Sequence, residues 1–464
     1  PGPVALTPEP LPIWDADPQW AWAEFQPDAG RPWNLALAGH LYRRSGFGAN
    51  WQQLQQAVAA GPRATVEQLL HPPADVQAAE AAWDQEEEAS ARTTGIESAR
   101  AWWLRRMIQT RCPLREKMTL FWHGHLGVSH ARVASPPLMM RHVQTLRRHA
   151  LGSYRTLLDE MVQDPAVLLA CGADANRRAD PNDRFARQLL ERLSLGPGHF
   201  DEQDVREVAR AFTGWFVLQG RLKYLAREFD SGPKRVLGQE GPWKTDDVVR
   251  IVLAQSAAPR LVARKLFRWL VSETEAPSDA LIAPLAETLG EQLDVGQAVA
   301  QILRSNLFFS QRAQRRRVKS PVEYALGIIR AFGGLVPMAP LGGLLAELGQ
   351  DLYAPPTLRG WVGGRHWINA ATMLGRANLA DSLLAARGPL GGKLDPQAVV
   401  QEQGAGTPRE QARFLVRLLL EDDDAPSRHS ALLASVPEAA GAATRDALRQ
   451  LAYQVVTLPE YHLG

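Results

Sequence analysis

The sequence is short of several things, and each shortage narrows what it encodes. Only two cysteines occur among 464 residues, Cys112 and Cys171. They build neither a metal-type cluster nor a disulfide framework. Two buried free thiols are the expectation. No apolar run approaches the ~20 residues needed to cross a bilayer, so no transmembrane segment is expected. Neither sign of charge dominates: 52 Lys and Arg stand against 50 Asp and Glu, a formal net charge of +2. A dedicated nucleic-acid binder carries a clear basic excess, so no nucleic-acid partner is expected. G-x-S-x-G, H-E-x-x-H, a Walker loop and a strand-linked G-x-G-x-x-G are all missing. No internal repeat is visible, and nothing specifies an oligomeric state. No signal peptide is present, and the opening on Pro1 rather than Met leaves room for an export signal removed ahead of it.

What is there reads as helix. Apolar residues make up 45% and charged residues 22%, ordinary values for a globular chain with a large core. The expected fold is mainly α: a large irregular helical domain with a small β-hairpin or ribbon near 215–240. Residues 1–34 form a Pro/Trp-rich arm whose rings dock on the surface rather than making a carbohydrate platform. Residues 35–332 form the main helical domain with a central polar site. Residues 333–464 form a C-terminal helical region packed on it, with Gly/Pro-rich linkers at 333–360 and 388–410. Glu86–Glu88 read as solvated helix face, and the basic run Arg312–Pro321 as another.

The polar residues concentrate in Asp180–Trp215, two amphipathic helices joined by a glycine-containing turn. Phe185, Ala186, Leu189, Leu190 and Leu193 line one helix, and Val205, Val208, Ala209 and Phe212 line the other at i, i+3, i+4, i+7. Pro181 suits the first turn of one helix, and Gly196–Pro197 stops it. Asp201 suits the N-cap of the next, and Thr245 the N-cap of a later helix. The loop residues Asp174, Asn176, Asp180, Asn182 and Asp183 read as turn and capping groups rather than a calcium loop.

Arg187, Glu191, Asp204, Arg206 and Arg210 crowd this hairpin, with Asp230 and Lys234 close by after the ribbon. His123 and His125 form an H-x-H pair at a helix end. On a strand that spacing turns both rings to one metal, whereas on a helix it separates them. Caps for backbone carbonyls are the plainer reading.

Several segments together resemble the bacterial domain-of-unknown-function family numbered eighteen-hundred. They include HLYRRSGFG, MTLFWHGHLGVS, DPAVLL, FARQLLERLSLG, DVREVARAFTGW, VARKLFRWLV, VKSPVEYALGIIR and GWVGGRHWIN. The resemblance implies a mainly helical, exported protein, with a sulfatase-like exported protein as its partner. The family's W-H-x-H element falls on Trp122–His125, and its P-N-E-N-x-A-R-E element on Pro181–Gln188. Two of its departures matter here: Gln188 replaces a glutamate, and Phe229 replaces the histidine of a His-Asp pair.

Two functions follow. The first is an exported binding or assembly protein of unknown ligand acting with its partner, with Asn182, Arg187, Arg206, Arg210, Trp215, Asp230 and Lys234 as ligand-binding groups. The second is a hydrolase or transferase on extracellular polysaccharide or on sulfated or phosphorylated material. There His123 or His125 is base or ligand to a divalent metal, Glu191 or Asp204 is the carboxylate, and the arginines clamp the anion. The lost carboxylate and imidazole favour the first.

Overall fold

Helix-forming signals recur along the chain. Asn34, Ser153, Asp164, Asn182, Asp201, Ser278, Asp294 and Thr407 each accept a backbone N–H in the first turn of the helix they precede. Each such cap contributes about 1 kcal/mol. Proline opens the helices Pro113–Leu126, Pro136–Arg148, Pro165–Cys171 and Pro321–Phe332, where its missing N–H costs nothing. The computed structural model describes residues 11–90, 94–385, 388–391, 393–404, 406–437 and 442–464. The fold is mainly α, and the described strands form only two-stranded pieces.

The helix Pro113–Leu126 is buried on every side, from Leu114 and Met118 to Phe121, Trp122 and Leu126. A helix with no solvent face marks the centre of a core. Its buried charges are answered: Glu116 accepts from Arg147 (2.7 Å) and from the Trp103 indole (2.9 Å), and Lys117 pairs with Glu323. Around it pack Leu35–Ser45, Pro136–Arg148 and Trp51–Leu70. Farther out, Met338–Glu347 lies on Ile96–Gln109, and Pro408–Leu420 on Ala442–Val456.

Ile13–Trp14 pairs in parallel with Ala276–Pro277. Trp14 is buried edge-on to Phe267, and the Trp22 indole donates to Leu281 O at 2.7 Å. Residues 1–10 of the N-terminal arm lie outside the described residues. Trp215–Leu218 and Arg221–Tyr224 form a hairpin whose turn residues, Gln219 and Gly220, both have positive φ. Such turns follow the right-handed twist of the strands. A second small hairpin, Lys234–Val236 with Gln239–Gly241, follows.

Several local expectations are corrected. Glu87 is fully buried between Arg147 (2.6 Å) and Arg106 (3.7 Å), while Glu86 and Glu88 face solvent. The run Arg312–Pro321 is not a solvated helix face. It turns inward, burying Arg317 against Glu323 and Lys319 over the Tyr461 ring. Pro181 precedes the capping Asn182 instead of entering the helix. Lys244 holds the N-cap position, and Thr245 is the first helical residue because its hydroxyl accepts the Trp215 indole N–H (3.0 Å). The stretch 388–410 contains the helix Pro396–Glu402. Cys112 and Cys171 are both buried and free.

Candidate functional site

The central helix ends at Leu126 on Gly127, whose left-handed backbone (φ 66°) closes the last turn. Helical geometry up to that point sends the two histidines apart. His123 is buried: its Nε2 accepts the Tyr353 backbone N–H at 3.2 Å, and its ring lies against Trp103 and Trp361. Burial, with His142 nearby, pushes its pKa down to about 3. His125 stacks on Phe121 and edges against Trp122. Burial, then Lys265 and Arg192, holds it well below the usual imidazole range, so the ring is neutral. Among the described residues no group of three or more His, Cys, Asp or Glu is placed to hold a metal.

A strap of chain, residues 353–367, crosses the end of this helix. Its approach is backbone to backbone. A Cβ on Gly360 would lie 1.8 Å from Gly124 O, and one on Gly127 would lie 2.5 Å from Leu358 O. Only glycine permits either contact. The strap is tied on its other side to the Asp180–Trp215 hairpin. That hairpin's first helix begins as Asp183–Arg187 and widens into a π-helix over Gln188–Ser194, a form frequent at functional sites. From it the Gln188 amide donates to Leu358 O (2.9 Å), Arg192 donates to Arg359 O (3.0 Å), and Glu191 pairs with Arg359 (3.3 Å).

Between helix end, π-helix and strap lies a cavity of about 370 Å³. Its walls include His125, Arg192, Lys265, Arg268, Trp269, Glu273, Arg317, Arg359, Trp361 and Trp367. Carboxylates account for two of the cations. Arg317 is held by Glu323 (2.8 Å) and lies over Trp269, and Arg359 pairs with Glu191. Glu273, the carboxylate of the wall, is occupied by the Val318 N–H (2.6 Å) and by Arg317. Arg192, Lys265 and Arg268 have no carboxylate partner among the described residues. The Trp269 and Trp361 indole nitrogens and Arg192 Nε are buried without an acceptor. Buried donors normally find partners. The wall therefore offers donors and positive charge with little to accept them.

The chain's own sequence now has a counterpart. The family model described as "Protein of unknown function (DUF1800)" matches residues 40–463. The chain belongs to this family. No curated protein and no solved structure matches this DUF1800 chain.

The expected site residues divide into three places. His125, with Glu191 at the rim, belongs to the cavity, and His123 lies behind it in the core. Asn182 is an N-cap that also donates to Gly172 O (2.7 Å), Arg187 pairs with Glu202 (2.7 Å), and Arg206 is exposed. Asp204 completes the capping box with Asp201 and accepts the Leu237 N–H (2.8 Å). Arg210 joins Asp230 (2.7 Å) and Glu207 (2.7 Å), while Lys234 donates to Gly232 O (2.9 Å) beneath the Phe229 ring. This third group clamps the ribbon to the helix Glu202–Ala211, and Trp215, donating to Thr245, ties it to the helix Thr245–Leu253.

Lys265, Arg268 and Trp269 were not foreseen as site residues. Their i, i+3, i+4 spacing in VARKLFRWLV was the available signal, since it places all three on one helical face.

Proposed function

We propose that this DUF1800 chain is a binding protein for an anionic, acceptor-rich ligand taken into the cavity between His125, Arg192, Lys265, Arg268 and Trp361. One observation supports the reading: three cations without carboxylate partners among the described residues line a concave space where two indole N–H groups lack acceptors and the Glu273 carboxylate is already engaged. Cavities of several hundred Å³ with a few convergent polar groups are the usual form of small-ligand sites. Inorganic phosphate, sulfate and oxalate are suitable first probes, titrated calorimetrically at constant ionic strength. Saturable one-site binding is expected, weakened about tenfold or more by Arg192→Gln or Lys265→Met. Absence of saturable binding, or binding indifferent to both substitutions, rejects the proposal.

Export and a sulfatase-like partner are proposals that rest on the family resemblance alone, and co-purification of such a protein with the tagged chain tests the second. Hydrolysis or group transfer is the alternative, favoured by the neutral His125 ring on the cavity wall. It suffers from the wall's one carboxylate being engaged and from Asp204 lying in a cap. A general acid–base pair needs a second titratable group within reach of substrate.

A further inference from the structure

Lysine is scarce in this chain. Seven of the 52 basic residues are lysines, so a lysine on the cavity wall invites a reason beyond charge. Of the buried lysines elsewhere, Lys117 is answered by Glu323 and Gly46 O (2.9 Å), Lys234 by the carbonyls of Asp230 and Gly232, and Lys319 by the face of the Tyr461 ring. Lys265 differs. It is half-buried on the helix Ala257–Leu270, lines the cavity, and makes no hydrogen bond or ion pair among the described residues.

We propose that Lys265 is a nucleophilic amine that forms an imine with an anionic carbonyl compound, a 2-oxo acid being the simplest kind. This rests on the reading of the cavity as an anion site. Arg192 and Arg268 flank the amine from two elements and would hold the carboxylate. Their charge, after the larger effect of burial, drives the Lys265 pKa down to about 7. A share of the amine is then the free base at neutral pH, where an ordinary lysine is almost wholly charged. Desolvation beside other cations is an established way to make a lysine nucleophilic. Six other charged or titratable groups line the cavity with this amine: His125 from the central helix, Arg192 from the π-helix, Arg268 from its own helix, Arg359 from the strap, and Glu273 paired with Arg317.

The step balances without a redox partner. The amine lone pair attacks the carbonyl carbon, the C=O π pair moves to oxygen, and a proton passes from nitrogen to oxygen to give a carbinolamine. The nitrogen lone pair then expels that oxygen as water, with the second N–H proton, leaving C=N. Water in the cavity can carry these protons, and the His125 ring lies on the same wall.

The test uses the full chain with glyoxylate and, separately, pyruvate, each reduced in place by cyanoborohydride, then digested and mapped by mass spectrometry. A single adduct at Lys265 is expected, at least tenfold above the exposed Lys223 and Lys244. Its yield rises between pH 6 and 8 and falls when phosphate competes. Lys265→Arg removes the nucleophile and should yield no cavity adduct. Adducts that follow surface exposure, or none at Lys265 while phosphate binds normally, overturn the imine and leave the anion site standing. Loss of phosphate binding in the unmodified chain removes both.

Discussion

Gly360 carries more of the site than any charged residue in it. An alanine there would place its methyl 1.8 Å from the Gly124 carbonyl oxygen at a backbone φ of 73°. Strain of this kind costs about 1–3 kcal/mol before any clash is counted. Gly360→Ala is therefore expected to lower the melting temperature by several degrees and to abolish anion binding, whereas alanine at Gly343, which has open space around it, does neither. Thermal melts with phosphate titration check both. At this scale the sequence was only partly legible. Glycines at 124, 127 and 360 are conspicuous in WHGHLG and RGWVGG, but nothing local says that these segments touch. Glu87 shows the same limit. Three consecutive glutamates look alike in a sequence, and the one that is buried is decided by arginines 19 and 60 residues away.

The π-helix is the element that joins the hairpin to the strap. From it the Gln188 amide donates to Leu358 O at 2.9 Å. A carboxylate in its place sets an acceptor against an acceptor and leaves the carbonyl unanswered. Gln188→Glu should cost about 1–2 kcal/mol locally, read as faster amide hydrogen exchange across residues 357–361. Gln188→Ala should show a smaller change, and equal exchange in all three proteins would refute the assigned role. Caps and apolar stripes made the two helices readable: Asn182 and Asp201 cap as their positions suggest, and the stripe residues are buried. The widened turn was not readable, because leucines at 189, 190 and 193 satisfy either helical period. The inward turn of Arg317 and Lys319 was equally hidden, since their partners Glu323, Glu273 and Tyr461 lie in three separate segments.

Across the whole molecule, the N-terminal segment clasps the helix that carries Lys265. Trp14 lies edge-on to Phe267 at 5.7 Å, and its strand pairs with Ala276–Pro277 just beyond that helix. Removing so large a buried ring costs about 3–5 kcal/mol. Trp14→Ala should therefore lower the denaturation midpoint and weaken phosphate binding together, while Trp20→Ala, at an exposed ring, leaves both unchanged. The mainly helical class was legible from periodicity, but the location of the cavity was not, because its walls come from five separate segments. Their distance has a consequence for how the protein is made. His123 waits for Tyr353, 230 residues later, and Gln188 waits for Leu358, 170 residues later. At ribosomal speeds the second interval alone lasts roughly 10–30 s. The nascent chain must spend that time with its central helix end open, so the anion site is among the last features to be born, and a chain truncated before the strap is expected to emerge without one.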